Sequence, residues 1–448
     1  MKTLLIDPAL QSPEVEPPLG LLYMAHMLER AGFTADVTSC NFDEDFARLD
    51  GLLAQSYDVV GVSALSFRLS EAIDAVQYVR ARCPDSIIVM GGPHVTAVGT
   101  EGLDDTTADF LVQGEGEETL PSLVASLANG EGGQEVPGTL QRQNGAWRAN
   151  PKRPPNPALE FFGYPRRDFL DTFSQHLAVT TGELLPEPCT TLMGSRGCAG
   201  KCTFCQPLIR DLFGNAIRCR LPESIAEEVR YLRDTYGVAS IQFADDMVLV
   251  NTAWGQRLCT EMARTGVPWA INARVDSINP EIARCLAESG VVKILFGAES
   301  GSDRVLKRLG KQVGRDTNIN AMRACVDEGI HVRASVMIGS PGETEADLDL
   351  TLDMLRQVRP HSIIVNYTKP TPGSGLYRQF VRRSDSNTTN GAKAALPRPV
   401  GAVGRRADQF ASMAARSQDA PFTSISVAVL EQYRKEMLAQ ARGPANQA

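Results

Sequence analysis

No run in this 448-residue chain approaches the roughly 20 consecutive apolar residues that span a bilayer. The opening Met1-Lys-Thr-Leu-Leu-Ile6 is broken by Asp7 and Pro8, which leaves it too short for the apolar core of a signal peptide. Aromatic residues are few (6%), no long basic run occurs, and the net charge is −8. A polyanion is therefore a poor partner, and neither nucleic acid nor a membrane is expected. The dinucleotide fingerprint G-x-G-x-x-G is missing after the first predicted strand, which counts against NAD or FAD. Cys40, Cys83, Cys259, Cys285 and Cys325 are scattered singly, as buried thiols are in a reducing compartment. These absences lead to the expectation of a soluble cytoplasmic protein, long enough for two or three domains.

What is present is a thiol cluster. Cys198, Cys202 and Cys205 stand at C-x3-C-x2-C spacing just after a predicted strand, Thr190–Gly194. Three cysteines on a [4Fe–4S] cluster leave one iron open to a small molecule, so the spacing describes a reactive cluster. Zinc is the competing reading, since Cys189 and Cys219 flank the triplet. It would need a fourth ligand, and there is neither a second C-x2-C nor a nearby histidine.

The organisation along the chain is α/β throughout. Residues 1–150 alternate strands (3–6, 35–38, 58–64, 86–90 and 110–113) with helices (19–31, 69–82 and about 118–128), which predicts a Rossmann-like, doubly wound parallel sheet. Residues 139–148 read as a hairpin turning at Asn144-Gly145. Residues 151–185, rich in proline at first, read as a linker. Residues 186–378 hold a second series with strands at 190–194, 240–244, 269–273, 292–297, 332–339 and 362–366. Six βα units make a partial (βα)6 barrel, whose functional groups should gather at the strand C-termini. Residues 379–448 form a C-terminal extension of biased composition, expected to be partly disordered, with one helix over 426–442.

The cysteine spacing followed by this βα series resembles the radical S-adenosylmethionine (SAM) superfamily. Pro17-Pro-Leu-Gly20, Gly91-Gly-Pro-His94 and Gly114-Glu-Gly-Glu117 resemble the cobalamin (B12)-binding domain fused to many of its members. Phe243-Ala-Asp-Asp-Met247, Phe296-Gly-Ala-Glu-Ser-Gly301 and Met337-Ile-Gly-Ser-Pro-Gly-Glu-Thr344 resemble the SAM-contacting strand ends of the same group. The resemblance implies three cofactors: a [4Fe–4S] cluster on Cys198, Cys202 and Cys205, SAM on its open iron, and cobalamin. It also implies an external electron donor such as flavodoxin or ferredoxin.

For SAM, the implied contacts are Asp245 or Asp246 to the ammonium, Arg274 to the carboxylate, Glu299 and Ser300 to the ribose or methionyl group, and Gly339 beside the adenine. For cobalamin they are Gly91, Gly92, Gly114 and Glu115 at the tail, with the loop from Ser63 placing Phe67 or Arg68 beneath the corrin, and His94 near the tail or solvent. The Asp-x-His-x-x-Gly motif is absent, so no histidine from it would bind cobalt. The implied activity is methyl transfer to an unactivated carbon of a small metabolite or natural-product intermediate, through a 5′-deoxyadenosyl radical and methylcobalamin. A cyclisation, ring contraction or oxidation with the same cofactors, and a sensor without turnover, are the alternatives. The substrate is expected near Tyr367, Lys369 and the turn at residues 370–373.

Overall fold

The computed structural model describes residues 1–10, 16–100, 102–103, 106–177, 185–205, 216–248, 252–371, 373–379 and 422–442. They divide into two compact units, one within residues 1–177 and one made of the described residues from 185 onward.

The first unit runs β1 (Lys2–Asp7), α1 (Leu19–Arg30), β2 (Thr34–Ser39), α2 (Leu49–Leu53), β3 (Val59–Ser63), α3 (Leu69–Arg82), β4 (Ile87–Gly91), α4 (Pro93–Val98), β5 (Phe110–Val112), α5 (Gly116–Ala128), β6 (Thr139–Gln143) and β7 (Ala146–Ala149). The sheet order is β2-β1-β3-β4-β5-β6-β7. The first five strands are parallel, and β6 and β7 add an antiparallel edge. Parallel strands covered on both faces need apolar side chains on both, and Leu4, Ile6, Val60, Val62, Ile88 and Met90 are at most 2% exposed within one core. The strand order reverses at β1, so the carboxyl ends of β1 and β3 flank the crevice where doubly wound sheets take ligands.

The stretch from residue 151, read as a linker, packs on this unit instead. Leu159 and Phe162 are buried against Tyr23 and Met27 of α1, and the Val37 N–H of β2 donates to the Phe169 carbonyl at 3.0 Å. Burial of Leu159 and Phe162 outweighs the surrounding prolines.

The second unit runs β8 (Cys189–Leu192), β9 (Ser195–Arg196), β10 (Arg218–Cys219), α6 (Pro222–Tyr236), β11 (Ser240–Phe243), α7 (Ala253–Thr265), β12 (Trp269–Ala273), α8 (Pro280–Glu288), β13 (Val291–Glu299), α9 (Asp303–Arg308), α10 (Arg315–Asp327), β14 (His331–Ile338), α11 (Glu345–Val358), β15 (Ser362–Tyr367) and α12 (Val427–Leu438). Six strands pair in parallel and in sequence order, β15-β14-β13-β12-β11-β8, with helical crossovers between them. This is the partial barrel. Helices α7, α8, α9 and α11 start where side chains satisfy free N–H groups: Thr252 accepts from Gly255, Asn279 from Ile282 and Ser302 from Val305, and Thr344 with Asp347 forms a capping box.

One face of the sheet is sealed by helices, with Ile241, Phe243, Ile294, Phe296, Val332, Ala334 and Val336 all at 0% exposure. Side chains alternate along a strand, so Gln242, Asn272, Lys293, Leu295, Arg333 and Ser335 share the opposite, lumen face. Strand β13 leaves the sheet hard against α11: a Cβ on Gly301 would lie 2.6 Å from the Thr351 Cα. Helix α12, expected over 426–442, is capped by Ser426 and docks on β15, where the Tyr367 hydroxyl donates to Glu431. The remainder of the extension read as partly disordered, residues 380–421 and 443–448, lies outside the described residues. No helix among the described residues is long and apolar enough to cross a membrane.

Candidate functional site

The three cysteines lie on a loop leaving the β8–β9 turn, and that loop is braced from neighbouring strand ends. Asp245, just past β11, is 1% exposed. Its Oδ2 accepts the Gly194 N–H at 2.9 Å, and its Oδ1 accepts the Ser195 hydroxyl. Thr203 is clamped further along: its N–H donates to the Leu309 carbonyl at 2.8 Å, and its carbonyl accepts the Leu376 N–H at 2.9 Å. Gly200 is closely hemmed in by side chains. A Cβ there would sit 3.0 Å from Arg274 Nη1, 3.3 Å from Cys198 Sγ and 3.7 Å from Cys202 Sγ, so two thiols and a guanidinium surround one point.

Burial pushes the Cys205 thiol up to about 12, with the neighbouring Cys202, Cys198 and Asp246 adding to the effect. Burial also raises Cys202, against the pull of Lys311 and Arg274. Iron displaces such protons on binding. Among the described residues no three ligating side chains converge on a single-ion point. A four-iron cluster does not ask for that, because each thiolate holds a different iron. Of the two flanking thiols, Cys189 opens β8, at the far end of that strand from the loop, and Cys219 pairs with Ser195 in the β9–β10 ladder.

The strand-end residues divide into those that face the thiols and those that do not. Asp246 is accessible and accepts the Gly197 N–H, while loss of hydration pushes its carboxyl up to about 6. Arg274 grips Asp276 in bidentate fashion (Nε 2.9 Å, Nη2 2.7 Å), which leaves Nη1 toward Gly200 and the cysteines. Glu299 ends β13 in a left-handed conformation (φ +63°), a strained geometry for a non-glycine residue. Its carboxylate is 3.2 Å from Lys311 Nζ, and both residues are under 9% exposed.

Lys311 is a residue that sequence reasoning missed. It acts electrostatically on Cys202 and Cys205, and its carbonyl accepts from Arg274 Nη2 at 3.3 Å. A lone lysine after Leu309-Gly310 has no periodic signature. Its place is set only when β13 and its following helix are folded.

Two of the expected SAM contacts are turned onto the chain itself. Both Asp245 oxygens are occupied by the chain's own Gly194 and Ser195, which makes Asp245 a brace for the cysteine loop. Ser300 is 0% exposed, and its hydroxyl lies 3.2 Å from that of Thr351 on α11, turned into the core. Gly339 (φ +77°) donates its N–H to Glu343 Oε2 at 2.6 Å, and Ser340 donates to the same oxygen at 3.1 Å. Burial pushes the Glu343 carboxyl up to about 7. Tyr367, expected near the substrate, is held by Glu431, whereas Lys369 is exposed.

In the first unit Ser63, Gly91, Gly92, His94, Gly114 and Glu115 gather at the carboxyl ends of the adjacent strands β3, β4 and β5. The Ala64 N–H donates to the Gly91 carbonyl at 2.8 Å, and the His94 N–H donates to the Ala64 carbonyl at 2.9 Å. Gly92 (φ +104°) lies so close to Ala64 that a Cβ would be 3.2 Å from its carbonyl oxygen. Thr96, also missed in the sequence, ties two glycine turns together by donating to the Gly92 carbonyl (2.9 Å) and accepting the Gly114 N–H (3.0 Å). A Cβ on Gly114 would meet no atom within 4 Å, so backbone is open to a ligand there.

His94 departs from expectation: it is 0% exposed, with Nδ1 3.1 Å from the Ser66 hydroxyl, because α4 starts on the proline before it and turns the ring inward. Arg68 is drawn onto the protein by Glu71 and the Leu10 carbonyl, each at 3.2 Å. Phe67, 54% exposed, is the accessible side chain of that loop.

The chain thus combines a cysteine-bearing partial barrel with a glycine-edged, doubly wound sheet. The radical SAM superfamily model matches residues 192–355, and the B12 binding domain model matches residues 9–124. The chain therefore carries a radical SAM domain and a B12-binding domain. Its cofactors are accordingly a [4Fe–4S] cluster, SAM and cobalamin.

The chain is 27% identical over 416 residues to an uncharacterized methyltransferase of Pyrococcus horikoshii, covering 89% of this chain and 87% of that protein. It is 25% identical to an anaerobic magnesium-protoporphyrin IX monomethyl ester cyclase of Rubrivivax gelatinosus, covering 85% of this chain and 70% of that one. Its fold is shared with the radical SAM methyltransferase TsrM of Kitasatospora setae, at TM-score 0.72 and 18% identity, covering 87% of this chain and 79% of TsrM. The residues present fit the groups: three thiols on a braced loop for the cluster, and side-chain-free strand ends for cobalamin.

Proposed function

We propose that the chain is a cobalamin-dependent radical SAM methyltransferase that methylates an unactivated carbon of a small molecule, with electrons from an external donor such as flavodoxin or ferredoxin. The observation that carries this reading is the pair of sites: a thiol loop ringed by Arg274, Lys311 and Asp246 in one unit, and the Gly91-Gly92 and Gly114 turns in the other. When bound, the cluster and cobalamin supply reducing electrons for SAM cleavage and a methyl carrier.

The residues then have distinct tasks. Cys198, Cys202 and Cys205 would each hold one iron. Lys311 and Arg274 place positive charge beside the thiolates, suited to the SAM carboxylate, while Asp246 is suited to its ammonium. Gly339 gives the adenine a close backbone approach. The backbone of Gly91, Gly92 and Gly114, with Ser63 and Glu115 alongside, would face the cobalamin tail.

The test is anaerobic reconstitution with iron, sulfide and cobalamin, followed by product analysis with SAM and candidate substrates. Methyl transfer requires S-adenosylhomocysteine to accumulate together with 5′-deoxyadenosine. The similarity to a cyclase favours a second reading, which predicts 5′-deoxyadenosine without S-adenosylhomocysteine under turnover. That outcome would sink the methyltransferase assignment.

A further inference from the structure

The left-handed conformation of Glu299 has an identifiable cause in the chain. Strand β13 must pass from the sheet onto α11 within two residues. Ala298 is fully buried in the sheet, and the Gly301 N–H already donates to the Thr351 hydroxyl of α11 at 2.8 Å. The bend falls on Glu299. The Ser300 N–H donates back to the Ala298 carbonyl at 2.8 Å, which closes a three-residue γ-turn with Glu299 (φ +63°) at its centre. Turns of this hand are rare and strained for a residue with a side chain. The register against β14 slips at the same place, between Gly297 and Glu299.

Asn318, fourth residue of α10 and 0% exposed, spans this turn. Its Nδ2 donates to the Ala298 carbonyl at 3.0 Å and to the Ser300 carbonyl at 3.1 Å, one on each side of Glu299. Both neighbours are acceptors, so an aspartate or the flipped amide could not take its place. The Asn318 Oδ1 is buried without a hydrogen-bond partner. An orphaned buried oxygen is destabilising, so the gain from this amide lies in its two bonds to the turn.

The turn decides where the Glu299 side chain goes. Its carboxylate folds back over Gly297, two residues earlier on the same strand, and meets Lys311 Nζ at 3.2 Å. A Cβ on Gly297 would collide with Glu299 Oε1 and lie 3.0 Å from that ammonium, so glycine leaves the pair its seat. Side-chain direction follows the backbone. Were Glu299 to relax from φ +63° into ordinary extended backbone, its Cβ would swing away from this seat and from Lys311.

We propose that Asn318 is the positioning residue for Glu299. By bridging the carbonyls on either side, it keeps the strained turn closed and the carboxylate aimed at Lys311 and at SAM beside the thiol loop. That the carboxylate meets the ribose or methionyl group of SAM rests on the proposed enzyme function; its aim at Lys311 does not.

Denaturant unfolding of the full chain tests the aim at Lys311 through Asn318→Leu, Lys311→Met and their double. Alone, Lys311→Met strands the buried Glu299. Once Asn318→Leu has released the turn, Glu299 is free to swing away, so adding Lys311→Met should cost roughly half as much or less. Asn318→Ser, whose hydroxyl can serve one carbonyl at most, gives the same cycle with a milder change and should also show a reduced cost. A cycle in which Lys311→Met costs as much in every background overturns the proposal.

The part played toward SAM is read by titrating SAM into the reduced, reconstituted cluster and following its electron paramagnetic resonance spectrum. Asn318→Leu should weaken SAM binding about tenfold at unchanged iron content, and no further in a Glu299→Gln background. Thr351→Val is the control. It removes the bonds to Ser300 and Gly301 beyond Glu299, so it should lower the melting temperature and leave the SAM titration as in the wild type. Unaltered SAM binding in Asn318→Leu, equal weakening in Thr351→Val, or a loss that adds to that of Glu299→Gln would each overturn the role toward SAM. A failed methyltransferase reading would appear instead as missing S-adenosylhomocysteine, with the unfolding cycle and the SAM titration intact.

Discussion

Lys311 and Glu299 form a buried ion pair at the edge of the thiol loop, and each depends on the other to be there. Removing one partner strands a charge in a poorly hydrated site, which costs on the order of 3 kcal/mol. Glu299→Gln should therefore lower the melting temperature by several degrees, and Glu299→Gln/Lys311→Met should recover part of the loss, a non-additivity that denaturant unfolding of the two singles and the double will measure. If Lys311 also meets the SAM carboxylate, Lys311→Met weakens SAM binding roughly 10- to 100-fold, the worth of one charged hydrogen bond. That loss reads out as a weakened SAM-dependent change in the electron paramagnetic resonance spectrum of the reduced cluster, at unchanged iron content. An unaltered SAM titration would confine Lys311 to holding Glu299. Cys198, Cys202 and Cys205 were legible in the sequence because their spacing alone states a chemistry. Lys311 was not, nor was the inward turn of Asp245 and Ser300, because a polar residue at a strand end can turn to either side of the sheet. For Asp245 the β8–β9 turn decided it, and for Ser300 the approach of β13 to α11 did.

The turn between β14 and α11 shows how an element can carry a pH dependence. Glu343 is 1% exposed and holds the Gly339 and Ser340 N–H groups through one oxygen, while its other oxygen, Oε1, is buried without a partner. Its pKa of about 7 in the fold stands above the ordinary 4.5. A carboxyl raised by folding favours the folded state fully below about pH 4.5, and its contribution falls as pH climbs toward 7. Glu343→Gln should thus match the wild type near pH 4.5 and exceed its stability by about 3 kcal/mol at pH 8, by the usual conversion of a shift of this size. Denaturant unfolding at the two pH values checks this, and a constant difference between variant and wild type would contradict it. Elements of this kind were readable where a period or a cap announces them. Apolar runs ending in glycine gave β4, β5 and β14, and Asn144-Gly145 gave the hairpin β6–β7. The two-residue strands β9 and β10 have no period to detect, and the six-residue α9 is announced only by the Ser302 cap. The antiparallel seat of β6 beside β5 is a tertiary choice that no local pattern records.

At the scale of the molecule, the residues proposed for the cluster and SAM lie in one unit and those proposed for cobalamin in the other. The cysteine loop, Arg274 and Lys311 belong to the six-stranded unit, and the Gly91-Gly92 and Gly114 turns belong to the other, which has its own apolar core through Leu4, Val60, Ile88 and Leu111. The three cysteines are partly exposed and outside that core, so replacing them removes ligands without opening a cavity in it. Cys198→Ala/Cys202→Ala/Cys205→Ala should therefore lose iron, sulfide and 5′-deoxyadenosine formation, yet retain cobalamin per chain at the wild-type level, measured by corrin absorbance. The converse variant is Gly92→Ala. It forces a Cβ to 3.2 Å from the Ala64 carbonyl oxygen at φ +104°, a conformation that L side chains rarely adopt. Its distortion falls on the β3–β4 strand ends, so cobalamin retention should drop while iron content and SAM cleavage without substrate persist. Under the proposed function methyl transfer should vanish in both variants, because it needs the cluster and cobalamin together. Loss of cobalamin on removing the cysteines would mean that the two cofactor sites form as one cooperative structure, and the assignment of one cofactor to each unit would then be wrong.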